Sequence, residues 1–127
     1  MAEVEMGRLA ARKAASAAVK RFGQRMVTDH SKANAELKRL AKREGVTLPA
    51  DLTPEQKADK DKLSNLSGAE FDREYMSMMV ADHDKDVNAF EAKAGNAADR
   101  DLKRFVVKTL PTLKMHQKMA KQIKASQ

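Results

Sequence analysis

Apolar residues along this 127-residue chain recur mostly at steps of three and four, the spacing of one face of an α-helix. From Ser16 to Glu44 the stripe runs Val19, Phe22, Met26, Ala33, Leu37 and Leu40. A second stripe, Phe71, Tyr75, Met79, Val87 and Phe90, falls within residues 68–93, and a third, Leu102, Val106, Leu110, Leu113, Ala120 and Ile123, within 98–124. Residues 1–15 carry Val4 and Leu9 among small alanines and read as a shorter amphipathic helix. The pattern predicts an all-α chain of one domain over 1–127.

Punctuation residues place the boundaries. Ser16 suits the break and N-cap between the first two helices, because its hydroxyl can accept from an orphan amide of the first turn. Gly45 takes the C′ position that favours a left-handed backbone, and residues 45–53 form a loop. Thr53-Pro54-Glu55-Gln56 then opens a short polar helix to about Leu66, with Thr as N-cap, Pro at N1 and Gln at N3. Ser67-Gly68-Ala69-Glu70 reads as a second capping box, and Gly95-Asn96 as the turn before the last helix. Pro111, inside that helix, is expected to kink it, since its nitrogen cannot bond the carbonyl one turn back.

Composition strengthens the helical reading. There are 21 alanines, 16 lysines and 8 methionines against 5 aromatic residues and 5 glycines, a list rich in helix formers and poor in strand formers. No apolar run reaches the ~18 residues of a membrane span, so an integral membrane protein is not expected. With no cysteine there is no disulfide, thiolate ligand or cysteine nucleophile. Charge is arranged in blocks: net +6 over residues 1–50, −6 over 51–101 and +7 over 102–127. The plain reading is complementary helix faces that choose their partners in an antiparallel bundle. The sharper reading is that Lys103, Arg104, Lys108, Lys114, Lys118, Lys121 and Lys124 dock a polyanion such as an anionic envelope polymer or lipid. Stacking aromatics and base-reading motifs are missing, so specific nucleic-acid recognition is not expected.

One motif points to chemistry. Met26-Val27-Thr28-Asp29-His30-Ser31-Lys32 recurs 53 residues on as Met79-Val80-Ala81-Asp82-His83-Asp84-Lys85, with five of seven positions identical. This reads as a duplicated helical hairpin. His30, His83 and His116, the only histidines, all fall on inward stripes, each with a methionine within one turn. Imidazole with thioether suits copper, and imidazole with carboxylate suits zinc. His30, His83 and His116 are therefore candidate ligands, with Asp29, Asp82, Met26 and Met79 as contributors. The bland alternative is buried histidine bonded to a neighbouring helix, with methionine filling the core. If residues 16–44 and 68–93 run antiparallel from a common end, His30 and His83 each lie ~22 Å from it and are level. Counted from the turn at 95–97, His83 and His116 are staggered by ~12 Å along the axis. The expected site is therefore a His30–His83 pair. The aspartates lie ~100° around the helix from the adjacent histidines and are expected to face a neighbouring helix.

Enzymatic readings find no support. A di-iron centre wants Glu three residues before His, but Val27, Val80 and Leu113 stand there. HExxH, Walker, GxGxxG and EF-hand patterns are missing, and no serine or tyrosine is poised beside a base.

The segments AEVEMGRLAARKA, VKRFGQRMVTDHSKANAELKRLA, LSGAEFDREYM with its following ADH, and KTLPTLKMHQKMA resemble the bacterial domain-of-unknown-function family 4142 over nearly the whole chain. The resemblance implies a ferritin-like antiparallel four-helix bundle with one additional short helix, exported to the periplasm or envelope behind a signal peptide. It implies no activity. Relatives usually carry a signal and further helical residues ahead of the AEVE segment, which begins here at Met1. A shortened first helix would leave part of the core to be covered by another protomer, so a homodimer through that helix is expected. Light scattering at micromolar concentration checks this, and a single-chain mass would count against it.

Overall fold

The structure, a computed structural model, describes residues 2–48, 51–96 and 99–127. It is all-helical: α1 (Ala2–Lys13), α2 (Ala17–Arg43), α3 (Pro54–Ser64), α4 (Gly68–Asn96) and α5 (Arg100–Ala125). The Ser16 hydroxyl accepts from Ala18 N–H, and Thr53 and Gln56 form the reciprocal capping box. Gly45 adopts φ 70° just past α2, where a Cβ would be strained.

Two boundaries differ from the expectations. Ser67 makes no capping bond. Instead Gly68, at φ 62°, begins α4 beside a lone backbone bridge to Ala14. Helix α4 continues through Gly95 and Asn96, which therefore do not form the turn. The expected start of the last helix near Ala98 lies outside the described residues, and Asp99 caps α5 by accepting from Leu102 N–H. Pro111 lies inside α5, as the sequence placed it. The carbonyl that proline leaves without a donor belongs to Val107, a residue 52% exposed, where water can replace the bond.

Cross-helix pairs set the directions. Asp29 meets His116, Glu36 meets Lys108 and Arg43 meets Asp101, so α2 and α5 are antiparallel. Asp84 meets Lys121 and Glu91 meets Lys114, which makes α4 and α5 antiparallel as well. Helices α2 and α4 consequently run parallel, which corrects the expectation that they oppose. Both start at one end, where buried Asp72 accepts backbone N–H groups of Ala15 and Ser16 at 3.0 and 2.8 Å. The two copies of the repeat thus lie on parallel helices. One is the second helix of the α1–α2 pair and the other the first of the α4–α5 pair, so the repeat does not mark a duplicated hairpin.

Helix α1 is laid on α2 at closest range where Gly7 faces Gly23. A Cβ built on either would sit 2.7 Å from the other's carbonyl oxygen, and one on Gly23 would also meet Ala10 Cβ at 2.8 Å. This contact buries Ala2, Val4, Met6, Leu9 and Ala10 within the chain. The main cluster joins Ala2, Met6, Leu9 and Ala10 to Ala14, Val19, Phe22, Met26, Leu52, Leu63, Phe71, Tyr75, Met76, Met79 and Ala120. Met6, Leu52, Leu63 and Met76 were not singled out by the stripes. Past the level of Ala2 only α2, α4 and α5 continue, and there Ala33, Leu37, Phe90, Leu102 and Leu110 remain half-buried.

Gly→Ala ordinarily stabilises a helix interior by ~1 kcal/mol. At Gly23 the added methyl meets backbone, so Gly23→Ala is expected to destabilise by ~1–3 kcal/mol in urea unfolding. Gly95, with nothing within 4 Å of its Cβ position, provides the contrast. Gly95→Ala should leave stability unchanged or raise it by up to ~1 kcal/mol.

Candidate metal centre

Each of three long helices delivers one imidazole to a single point. His30 comes from α2, His83 from α4 and His116 from α5. Their ring centroids lie 5.7, 5.3 and 5.5 Å apart for the pairs 30–83, 30–116 and 83–116. His83 and His116 are fully buried and His30 is 9% exposed. One nitrogen from each ring lies within 4.8 Å of the others, and among the described residues no carboxylate joins that set. The expected ~12 Å stagger of His116 is therefore corrected. Measured from the helix ends, His83 is 13 residues before Asn96 and His116 is 16 after Arg100, a difference of only ~4.5 Å. The earlier count charged loop residues to the helix axis.

The hydrogen bonds select the free nitrogens. His83 Nδ1–H donates to the Met79 carbonyl oxygen at 2.8 Å, and His116 Nε2–H donates to Asp29 Oδ2 at 2.7 Å. The same Asp29 oxygen accepts from Arg25 Nε at 2.7 Å. These bonds leave lone pairs on His83 Nε2 and His116 Nδ1. Both atoms, together with His30 Nε2, are buried without a partner. Metal-binding histidines are oriented in this way, by donating the remote N–H to a carbonyl or carboxylate. Burial, opposed by Glu3 and reinforced by His116 and His83, takes His30 down to about 4. Burial also lowers His83 and His116, against their bonds to Met79 and Asp29. All three are neutral imidazoles at pH 7, which is the ligating form.

The other candidates are placed differently. Burial pushes Asp29 up, but its bonds from Arg25 and His116 outweigh this and hold it below the carboxylate range. Asp29 is thus an ionised acceptor that positions His116. Asp82 is not brought to the cluster. It is half-buried, and burial together with the charges of Glu3 and Asp59 raises it to about 6. Met26 and Met79 are fully buried; Met26 Cβ lies against Gly7, and Met79 contributes its carbonyl to His83. Arg25 and Glu3 were missed by the sequence reading. The i, i+4 spacing of Arg25 and Asp29 was a visible signal for the first. Glu3 had none, since it reaches the site from α1. Burial pushes Glu3 up, but His30, a backbone N–H and the facing Asp86 carboxyl hold it low. Asp86 is driven to about 7 by burial and by Glu3.

The seven α5 cations are all exposed. Lys108, Lys114 and Lys121 pair with Glu36, Glu91 and Asp84 at 3.1–3.2 Å, which favours complementary helix faces for those three.

A family model for a domain of unknown function, DUF4142, matches residues 1–123. The chain belongs to the DUF4142 family. No curated protein and no solved structure matches it. The three histidines of this DUF4142 chain lie within the matched segment. No described helix is long and apolar enough to cross a membrane.

A histidine held neutral by burial binds fewer protons folded than unfolded. His30 therefore contributes a stability that is complete above its unfolded pKa of ~6.5 and is lost as pH falls toward about 4. Asp82 and Asp86 titrate with the opposite sign, so the check is a comparison of variants. The melting temperature of His30→Phe is expected to fall less between pH 6.5 and 4.5 than that of the unaltered protein.

Proposed function

We propose that this DUF4142 protein binds one transition-metal ion, copper or zinc, through His30, His83 and His116. The observation that carries the reading is the convergence of three buried imidazoles, each with one buried, unpartnered ring nitrogen, two of them on rings whose other nitrogen is already committed. Leaving a buried polar atom unpaired costs ~1–3 kcal/mol, and a single ion would satisfy all three. Metal–nitrogen bonds of ~2.0–2.1 Å would be reached by small side-chain adjustments on fixed helices, since one nitrogen of each ring already lies within 4.8 Å of the others. Asp29 and the Met79 carbonyl would orient the rings.

The reading includes no catalysis, since a binding role accounts for the site. We further read the architecture as a ferritin-like four-helix bundle of α1, α2, α4 and α5. Parallel α2 and α4 demand a long return connection, supplied by residues 44–67 with α3, and one such crossover is the ferritin-like arrangement. An envelope or periplasmic location accompanies the family reading. A second reading, contact with anionic envelope polymer or lipid, is favoured by one feature. A groove of about 580 Å³ between α2 and α5 is lined by Arg39, Lys42, Arg43, Arg104 and Lys108, against Glu36 and Asp101. Binding there would fall steeply with salt, whereas metal binding would not.

The test is titration of tag-free protein with Zn(II), Cu(II) and Cu(I), following melting temperature and stoichiometry. A ligand at 100 times its dissociation constant stabilises the folded state by ~2.7 kcal/mol. One ion per chain is expected, lost in His30→Ala and His83→Ala, with Asp29→Ala weakening affinity ~10–100-fold. No shift with any of the three ions would overturn the reading.

A further inference from the structure

We infer that the occupant of the three-histidine site is a monovalent, three-coordinate ion, Cu(I), rather than a divalent one. This rests on the metal-binding reading above and goes beyond it by fixing the ion's charge and coordination number. Two observations carry it. The first is the donor set: three neutral imidazoles, with no carboxylate oxygen among the converging atoms of the described residues. Zn(II) in a site with three protein ligands takes a fourth, usually water in an open position. Here His83 and His116 are wholly shut from solvent and His30 almost so. The ring centroids form a nearly equilateral triangle, with sides of 5.3–5.7 Å. Cu(I), with a filled d shell, is stable with three donors arranged about it in a triangle.

The second observation is the charge around the rings. The cost of burying an ion rises with the square of its charge, so the surroundings must match it. Asp29 is answered by Arg25 at 2.7 Å, and Asp84, beside His83, by Lys121 at 3.2 Å. The carboxylate that touches a ring and the one next to His83 in the chain are thus each already paired with a cation, which suits a monovalent ion better than a divalent one.

The experiment is anaerobic titration of the intact chain with Cu(I) against a chromophoric Cu(I) chelator, and separately with Zn(II), followed by X-ray absorption of the copper-loaded protein. The expected result is one Cu(I) per chain, with a dissociation constant roughly 1,000-fold or more below that for Zn(II). The absorption spectrum should report three nitrogen donors and no sulfur. Failure of both metals to bind would overturn the metal reading and this inference with it. Stoichiometric Zn(II) with Cu(I) bound no more tightly would overturn this inference alone. So would a copper spectrum with a sulfur shell or four donors, a readout on the unaltered protein that does not depend on whether histidine variants fold. Retention of Cu(I) at full affinity by a folded His83→Phe variant would also overturn it.

Discussion

Three imidazoles buried together, each keeping one nitrogen without a partner, are the constraint around which this molecule is arranged. Burying a polar atom unpaired is unfavourable, and an apolar core built from the available leucines, methionines and alanines would avoid the cost. The chain instead orients two of the rings with hydrogen bonds, from His83 to a backbone carbonyl and from His116 to Asp29. Those bonds leave one nitrogen of each ring free, in a cluster whose ring centroids lie 5.3–5.7 Å apart. The low pKa values keep the rings neutral, so they neither repel one another nor need to shed a proton before accepting an ion. A site that is unfavourable when empty and ready when filled is what the binding proposal requires.

The helices are placed to make this possible. The Gly7–Gly23 approach brings α1 hard against α2, and Asp72 ties the α1–α2 junction to α4. Helices α2 and α4 therefore rise together from one end, and their histidines reach the same level. Ion pairs from α5 to Glu36 on α2 and to Asp84 and Glu91 on α4 hold the third helix antiparallel to both. The level of the triad is also where α1 begins, so a well-sealed apolar cluster lies on one side and a looser three-helix region on the other. Glu3, in the first turn of α1, is thereby brought near enough for its charge to act on His30 and His83.

Much of this could be read from the chain. Helix stripes, the Ser16 and Thr53 caps, Gly45 and the repeat around His30 and His83 act through residues near in sequence, and the structure keeps them. The inward aim of all three histidines follows from the same periodicity. The errors arose where a distant partner intervenes. Ser67 looks like a cap, but the backbone bridge from Ala14 to Gly68 governs that entry. His116 looked out of step because a count along the chain cannot separate helix from connection. Asp29 and Asp82 occupy identical places in the repeat yet differ in role, since α5 supplies His116 to one and α1 and α3 supply acidic neighbours to the other.

By itself the sequence determined an all-helical chain, its element boundaries to within a few residues, and which side of each helix turns inward. These properties depend on interactions within a turn or two, so local spacing is enough to specify them. Only the tertiary structure decided that α2 and α4 run parallel, that three rings rather than two share one point, and that Glu3 and Arg25 bear on the site. Those outcomes depend on the relative height of separate helices. Height is set by a glycine–glycine contact, a buried carboxylate and ion pairs between residues far apart in the chain, and no local pattern records the sum.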